Sequence, residues 1–319
     1  MNAPATLEIN GTVIDATFAE AFPMKATRLV ITAHTLTWAM HAANSLTGFA
    51  TSVIGCGCEA GVERTLAPGE TPDGRPGVAV LLFAVSSKEL AKQIGRRVGQ
   101  CVLTCPSTAV FGGIDPATSR APLSDLAPLG SGLRFFGDGW QISKMIGNTR
   151  YWRVPVMDGE FVCEDTAATV KAVGGGNLLL LARDQDAALA AAEAAVAAMR
   201  RLPNVIMPFP GGIVRSGSKV GSRYAGASAS TNDAFCPSLI GLSARSELSA
   251  EVGCVLEIVI DGLTDADVGA AMTAGIAAAA GLGRAAGMLR ISAGNYGGKL
   301  GPYHFHLHAL AAGVEGGRV

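Results

Sequence analysis

Apolar positions recur in one order four times along the chain: a short strand-like run, a stretch with apolar residues three or four apart, and a second short run. In the first unit, residues 28–31 read as a strand, Leu36, Met40 and Ala43 as one helix face, and residues 50–54 as the returning strand. In the second, a strand at 78–84 precedes Leu90, Ile94 and Val98 at a spacing of four, and residues 100–103 return. The third has a strand at 177–182, a helical stripe of Leu189, Ala192, Val196 and Met199, and a strand at 204–207. The fourth has a strand at 254–260, then Val268, Met272 and Ile276, then a strand at 288–291. Asp184 and Asp186 precede the third helix, and Thr264 with Asp267 opens the fourth in the manner of a capping box. Gly281 and Gly283 are expected to end that helix.

Four strand–helix–strand units fit either one long parallel sheet or two folds of two units each. Wound parallel sheets keep their connections short, whereas residues 106–127 and 208–254 are long Gly- and Pro-rich stretches with little periodicity. The expected architecture is therefore α+β: two ferredoxin-like split β-α-β lobes joined and decorated by long loops. The expected division is an N-terminal lobe over 1–150, a C-terminal lobe over 151–310 and a flexible tail over 311–319, with the boundary falling between Ser143 and Gly176.

Composition removes several function classes. With 25 Lys and Arg against 26 Asp and Glu there is no basic surface for nucleic acid. A mean hydropathy of +0.34 raises the question of a membrane, but no run of about 18 strongly apolar residues occurs, and the most apolar window contains Arg284. No basic stretch followed by an apolar one begins the chain, so no signal peptide is read and a cytoplasmic location is expected. The 7 cysteines, among them Cys56 with Cys58 and Cys101 with Cys105, do not show zinc spacing and are read as reduced, mostly buried thiols.

Gly174, Gly175 and Gly176 lead into a strand rather than out of one, so they are not a dinucleotide fingerprint. Neither a P-loop nor a nucleophile elbow is present. His304, His306 and His308 alternate; on a strand they would share one face, a spacing that can hold a metal or simply line a half-exposed edge. Glu257 interrupts the apolar run VLEIVI, sharing a face with Val255 and Val259. It is either an ion-paired or edge-exposed carboxylate, or a buried one whose proton affinity is raised toward neutrality, as a general acid/base requires. Two loops suit a polar ligand. One presents Gly211, Gly212, Ser218 and Lys219, followed by Asn232 and Asp233; the other presents Ser292 and Asn295 among glycines. Structural turns explain many of the same glycines.

Six ordered segments converge on one family. Residues 18–22 (FAEAF), 71–77 (TPDGRPG), 135–138 (FFGD), 211–222 (GGIVRSGSKVGS), 230–233 (STND) and 291–300 (ISAGNYGGKL) resemble formylmethanofuran–tetrahydromethanopterin formyltransferases, over roughly residues 7–310. The resemblance implies two ferredoxin-like lobes and transfer of a formyl group between the amine of methanofuran and a ring nitrogen of tetrahydromethanopterin. It implies no metal and no prosthetic group, the coenzymes being substrates. It also singles out Glu257 for acid/base work. Loop amides, or the Asn232 and Asn295 side chains, are then candidates to hold the oxyanion. The near-neutral, Ala- and Arg-rich composition resembles the bacterial version of methylotrophs, which implies formaldehyde oxidation to formate, a homo-oligomer, and a complex with a formylmethanofuran hydrolase. The competing readings are a non-catalytic coenzyme-binding subunit and a metal-dependent hydrolase built on the histidine strand.

Overall fold

The computed structural model describes residues 7–299 and 301–315. In chain order the elements are β1 (Leu7–Ile9), β2 (Thr12–Ile14), β3 (Phe18–Thr32), α1 (Leu36–Thr47), β4 (Glu59–Leu66), β5 (Gly77–Ala84), α2 (Ser87–Arg97), β6 (Ala109–Gly112) and β7 (Leu123–Pro128). Then follow α3 (Gly130–Leu133), β8 (Ile142–Ile146), β9 (Thr149–Val156), β10 (Gly159–Glu164), β11 (Thr166–Ala182), α4 (Gln185–Met199), β12 (Val205–Ile206), β13 (Ser218–Val220) and β14 (Ala229–Thr231). The last are β15 (Cys254–Gly262), α5 (Asp265–Leu282), β16 (Met288–Ser292), β17 (Tyr303–His306) and α6 (Leu307–Glu315). Among the described residues no helix is long and apolar enough to cross a membrane.

Contacts group the chain into two compact units, interleaved in sequence. One holds residues 7–22, Ser52–Gly55 and 173–315; the other holds Pro23–Thr51 and Cys56–Ala172. A cut at 150/151 would fall inside β9, whereas these unit boundaries fall inside β3 and β11.

The unit built on residues 23–172 contains β3, α1, β4, β5, α2 and β6. Its strands pair antiparallel in the order β4–β5–β3–β6. Each β-α-β crossover therefore leaves a slot that another strand fills, which is the split β-α-β arrangement expected. Leu29, Ile31, Val80, Leu82, Leu90 and Ile94 are fully buried between sheet and helices. β10, β9 and β8 extend the sheet beyond β6.

Two returning strands differ from the sequence reading. The apolar run 50–54 is irregular, with Val53 and Ile54 exposed, and the strand is β4, whose sequence EAGVERTL hides it. Its Glu63 accepts two hydrogen bonds from the Arg28 guanidinium at 2.6 and 2.7 Å, so a charge inside the sheet is matched. Residues 100–103 do not leave the second helix. They continue it as a π turn at Val98–Val102 that buries both Val98 and Val102, and the strand comes later as β6.

The other unit contains β11, α4, β12, β15, α5 and β16, ordered β12–β15–β11–β16 and again antiparallel throughout. β2 joins β16 in parallel at the edge. The Asp184 carboxylate accepts from the Ala187 amide at 2.9 Å, and the Thr264 hydroxyl accepts from the Asp267 amide at 3.1 Å, so both helix starts are capped as read. α4 and α5 cover one face of the sheet, over Leu178, Leu180, Leu256, Ile258 and Ile260. The triple glycine lies within β11, where the register slips between Val173 and Gly176. Gly175 has φ +91°, and a Cβ there would sit 3.0 Å from the Phe22 ring. Of the expected tail, residues 311–315 continue α6 and Ala311 is buried; residues 316–319 lie outside the described residues.

Candidate active site

The β11–β15–β16 sheet presents its second face away from α4 and α5. Leu179 pairs with Glu257 on one side and with Ser292 on the other, so these three side chains form one row across three strands. Val214 extends the row through a pair of backbone hydrogen bonds to Glu257, both 2.9 Å. Beside the row, Leu181 and Leu289 of the sheet pack against Leu248 and Val252 of the long segment 208–253. This burial on one face and helices on the other explain why an unbroken apolar run flanks Glu257.

Glu257 stands in a recess of about 40 Å³ lined by Val214, Gly217, Thr231, Asn232 and Cys236. The recess leaves the residue some exposure, yet protein atoms displace most of the water around its carboxyl group. A Cβ on Gly217 would lie 3.2 Å from Glu257 Oε2, so the glycine lets the backbone close over the acid. Burial alone pushes the Glu257 carboxyl up to about 7. Of the two readings of Glu257, the ion-paired one is not seen among the described residues.

The other expected residues divide. Asn232 lines the same recess, while its backbone amide donates to the Gly217 carbonyl at 2.8 Å. Ser292 is buried at the end of the row. Ser218 and Lys219 lie on β13, which pairs with β14. Lys219 donates to Asp233, whose carboxylate also accepts from Ser243 Oγ at 2.8 Å and from the Arg245 guanidinium at 2.6 Å. These donors, Lys219 foremost, hold the Asp233 carboxyl well below the usual range. Lys219 and Asp233 therefore brace their own segment. Gly212 has φ +88° and is buried against Val196 and Met207, a packing role, whereas Gly211 faces open space. The Asn295 amide donates to Thr17 and Phe18 at 3.2 and 3.3 Å, which commits it to holding the loop after β16.

That loop does not offer a row of free amides. The Gly294 amide donates to Asn177, that of Gly297 to Asn295, and those of Tyr296, Gly298 and Gly301 to Glu20. Asn177 and Glu20 were missed from the sequence. For Glu20 the signal was available: an acid in an otherwise apolar run, FAEAF, the same signal that marks Glu257. The Tyr296 ring lies 6.2 Å from that of Phe22, and its hydroxyl is held protonated to higher pH by burial first and then by the negative charges of Glu257 and Glu20.

The three alternating histidines do not share a strand face. β17 ends at His306, and His308 is already in α6. His304 Nε2 donates to the Gly301 carbonyl at 3.1 Å and His308 Nε2 to the Ile14 carbonyl at 2.8 Å. Among the described residues no three His, Cys, Asp or Glu side chains cluster as metal ligands. Cys58 and Cys163 are buried; the other five cysteines are partly exposed rather than buried.

Two family models match almost end to end: formylmethanofuran–tetrahydromethanopterin formyltransferase over residues 7–156, and the proximal lobe of the same enzyme over residues 159–310. A protein of Methylococcus capsulatus named formylmethanofuran–tetrahydromethanopterin formyltransferase is 65% identical over 304 residues, covering 95% of this chain and 99% of the relative. The chain belongs to this formyltransferase family. Two crystal structures place the fold in the same family. One, the formyltransferase/hydrolase complex of Methylorubrum extorquens with methylofuran, contains a chain that superposes with a TM-score of 0.91 at 51% identity, over 96% of this chain and 99% of that one. The formyltransferase of Methanosarcina barkeri superposes with a TM-score of 0.87 at 46% identity, over 95% of this chain and 100% of that one.

Proposed function

We propose that the chain transfers a formyl group between a tetrahydromethanopterin-type coenzyme and the amine of a methanofuran-type coenzyme, with Glu257 as the acid/base. The observation that carries the role of Glu257 is its desolvated carboxyl at the floor of an open recess, pushed up to about 7. A group of that affinity exchanges protons readily near neutral pH.

The chemistry asks for three things. The acceptor nitrogen attacks the formyl carbon, the carbonyl oxygen takes up negative charge, and the tetrahedral adduct collapses with expulsion of the donor nitrogen. A proton must leave the attacking nitrogen and reach the departing one. Glu257 as carboxylate takes the first and, once protonated, delivers it to the second. The oxyanion needs a fixed donor. Asn232 lines the recess, and its carboxamide suits that role better than the loop after β16, whose amides at 294, 296, 297, 298 and 301 are already committed. Binding both coenzymes side by side supplies the rest by proximity. No covalent enzyme intermediate is required.

Greater identity to the Methylococcus protein than to the Methanosarcina one favours the bacterial form of the activity. On that reading the chain works as a homo-oligomer in a complex with a hydrolase. The formyl group runs from the pterin to the methanofuran analogue and on to formate, in the cytoplasm.

The test is transfer by the purified chain, followed by the appearance of the formylated methanofuran analogue. Wild-type chain is expected to turn over and Glu257→Gln to lose about 10²–10⁴-fold. A wild-type chain that binds both coenzymes without transfer would establish the non-catalytic subunit instead.

A further inference from the structure

Glu20 is fully buried, and the acid-bearing strand it belongs to has no part in the chemistry above. Its surroundings are unusual. Oε2 accepts from the amides of Tyr296 at 2.7 Å and Gly298 at 2.9 Å, and Oε1 accepts from that of Gly301 at 2.7 Å. Among the described residues, N–H groups at three positions of one loop thus converge on one carboxyl group from a different part of the chain. The opposing strand adds a fourth tie: β17 pairs His304 with Glu20, and the His304 ring holds the Gly301 carbonyl at 3.1 Å.

The loop so gathered begins directly after Ser292, the end of the row that contains Glu257. Between Ser292 and the Glu20 contacts it is pinned again by Asn177, which accepts from the Gly294 amide at 2.6 Å and donates to the Gly294 carbonyl at 3.1 Å. The side chain it carries outward is Tyr296, 40% exposed, with its ring against Phe22.

We infer that Glu20 is a positioning residue for formyl transfer: by collecting the amides of Tyr296, Gly298 and Gly301 it folds the loop after β16 inward and fixes the Tyr296 ring at the rim of the Glu257 site. The chemistry of the acceptor explains the residue type. Both oxygens must accept, which a carboxylate does and a carboxamide does at one oxygen only. Gln at this position turns an NH₂ group toward at least one N–H. A buried donor facing a donor is a defect that the loop relieves by moving. The loop, not the strand, is the movable partner, because β3 is held by β17 on this stretch. Tyr296 is the exposed ring of this loop, so on this inference it is the part that touches a coenzyme, and its displacement is read in kinetics.

The inference rests on the formyl-transfer reading, and the experiment separates the two. Glu20→Gln, Tyr296→Ala and the double variant are measured as the full chain, with kcat and KM for each coenzyme normalised to the folded fraction. Tyr296→Ala is expected to lower kcat/KM about tenfold, Glu20→Gln to match it within threefold, and the double variant to be no worse than either. A residue that only supports the fold would instead leave kcat and KM per folded molecule at wild-type values, or add its loss to that of Tyr296→Ala; either result overturns the inference. Should Glu20→Gln not fold, Gly298→Ala reports on the same loop with Glu20 left in place. Its φ of +71° and the His304 ring 3.3 Å from the new Cβ force the loop to shift. Wild-type kcat and KM in Gly298→Ala would overturn the inference as well. Loss of transfer in the wild-type chain would overturn the reading beneath it, whereas transfer by wild type with unaltered loop variants overturns only the role of Glu20.

Discussion

Glu257 illustrates how one carboxyl group trades stability for chemistry. In the unfolded chain it releases its proton near 4.5, and in the folded one near 7. The folded state therefore binds the extra proton between those values, and its stability falls as pH rises through that window. Below 4.5 both states are protonated and nothing is lost; above 7 the full cost, at most about 3 kcal/mol, is in place. Glu257→Gln carries no titrating proton. Its unfolding free energy is expected to equal wild type near pH 4 and to exceed it at pH 8, measured by urea titration at both values. Equal stabilities at pH 8 would mean that the carboxyl is not desolvated. In turnover the sign reverses. The carboxylate is the form that accepts the proton of the attacking amine, so kcat/KM is expected to rise through about pH 7 in wild type, a limb absent from the Gln variant. For Asn232, the oxyanion role predicts that Asn232→Ala lowers kcat about 10²-fold or more with a small change in KM. A change confined to KM would reassign it to coenzyme binding.

Elements explain what was legible in the sequence and what was not. Helices were readable because their caps and stripes are local: Asp184, Thr264 and the four-residue spacings each act within a turn or two. Central strands were readable because burial on both faces leaves continuous apolar runs such as residues 78–84. β4 was not, since Glu63 is matched there by Arg28, a partner 35 residues away that no local pattern announces. Nor was the π turn at Val98–Val102, where tertiary burial prolonged a helix past its expected end. The same division holds at the site. Glu257 interrupts its apolar run within a few residues, whereas the mutual pairing of Lys219 and Asp233, both read as ligand contacts, is a property of the folded segment. That pairing predicts a local phenotype. Asp233→Ala leaves Lys219 and Arg245 without their common acceptor, while the helix-covered core lies on other residues. Protease cleavage is expected to rise within residues 215–245 with the melting temperature changed by no more than about 3 °C. Cleavage spread evenly over the chain would show that the cluster supports the whole unit.

For the molecule as a whole, the notable feature is that the chain's first strands belong with its last ones. Thr12 Oγ1 donates to the Met288 carbonyl at 2.9 Å, and the Asp15 amide donates to the Ile291 carbonyl at 3.0 Å. The Asp15 carboxylate takes the Arg290 guanidinium at 2.7 and 2.9 Å. The Leu307 amide donates to the Thr17 carbonyl at 2.9 Å, and Glu20 holds the loop before β17. Ile14, Ala19 and Ala21 are buried in the same apolar cluster as α4 and α5. A chain that starts at Pro23 thus loses the two edge strands β1 and β2, a partly buried ion pair and a piece of core from the unit that carries Glu257, and nothing from the sheet of β4, β5, β3 and β6 beyond the first residues of β3. Burial of Ile14 alone is worth about 1.5–3 kcal/mol, a large share of the net stability of a typical domain. Hydrogen exchange on that truncated chain is expected to show lost protection at β15, β16 and residues 176–182, with β5 and residues 27–32 still protected. Adding a peptide of residues 7–22 is expected to restore part of the lost protection. Uniform loss across both units would mean that they fold as one, and uniform retention would mean that the N-terminal strands only decorate a unit that stands without them.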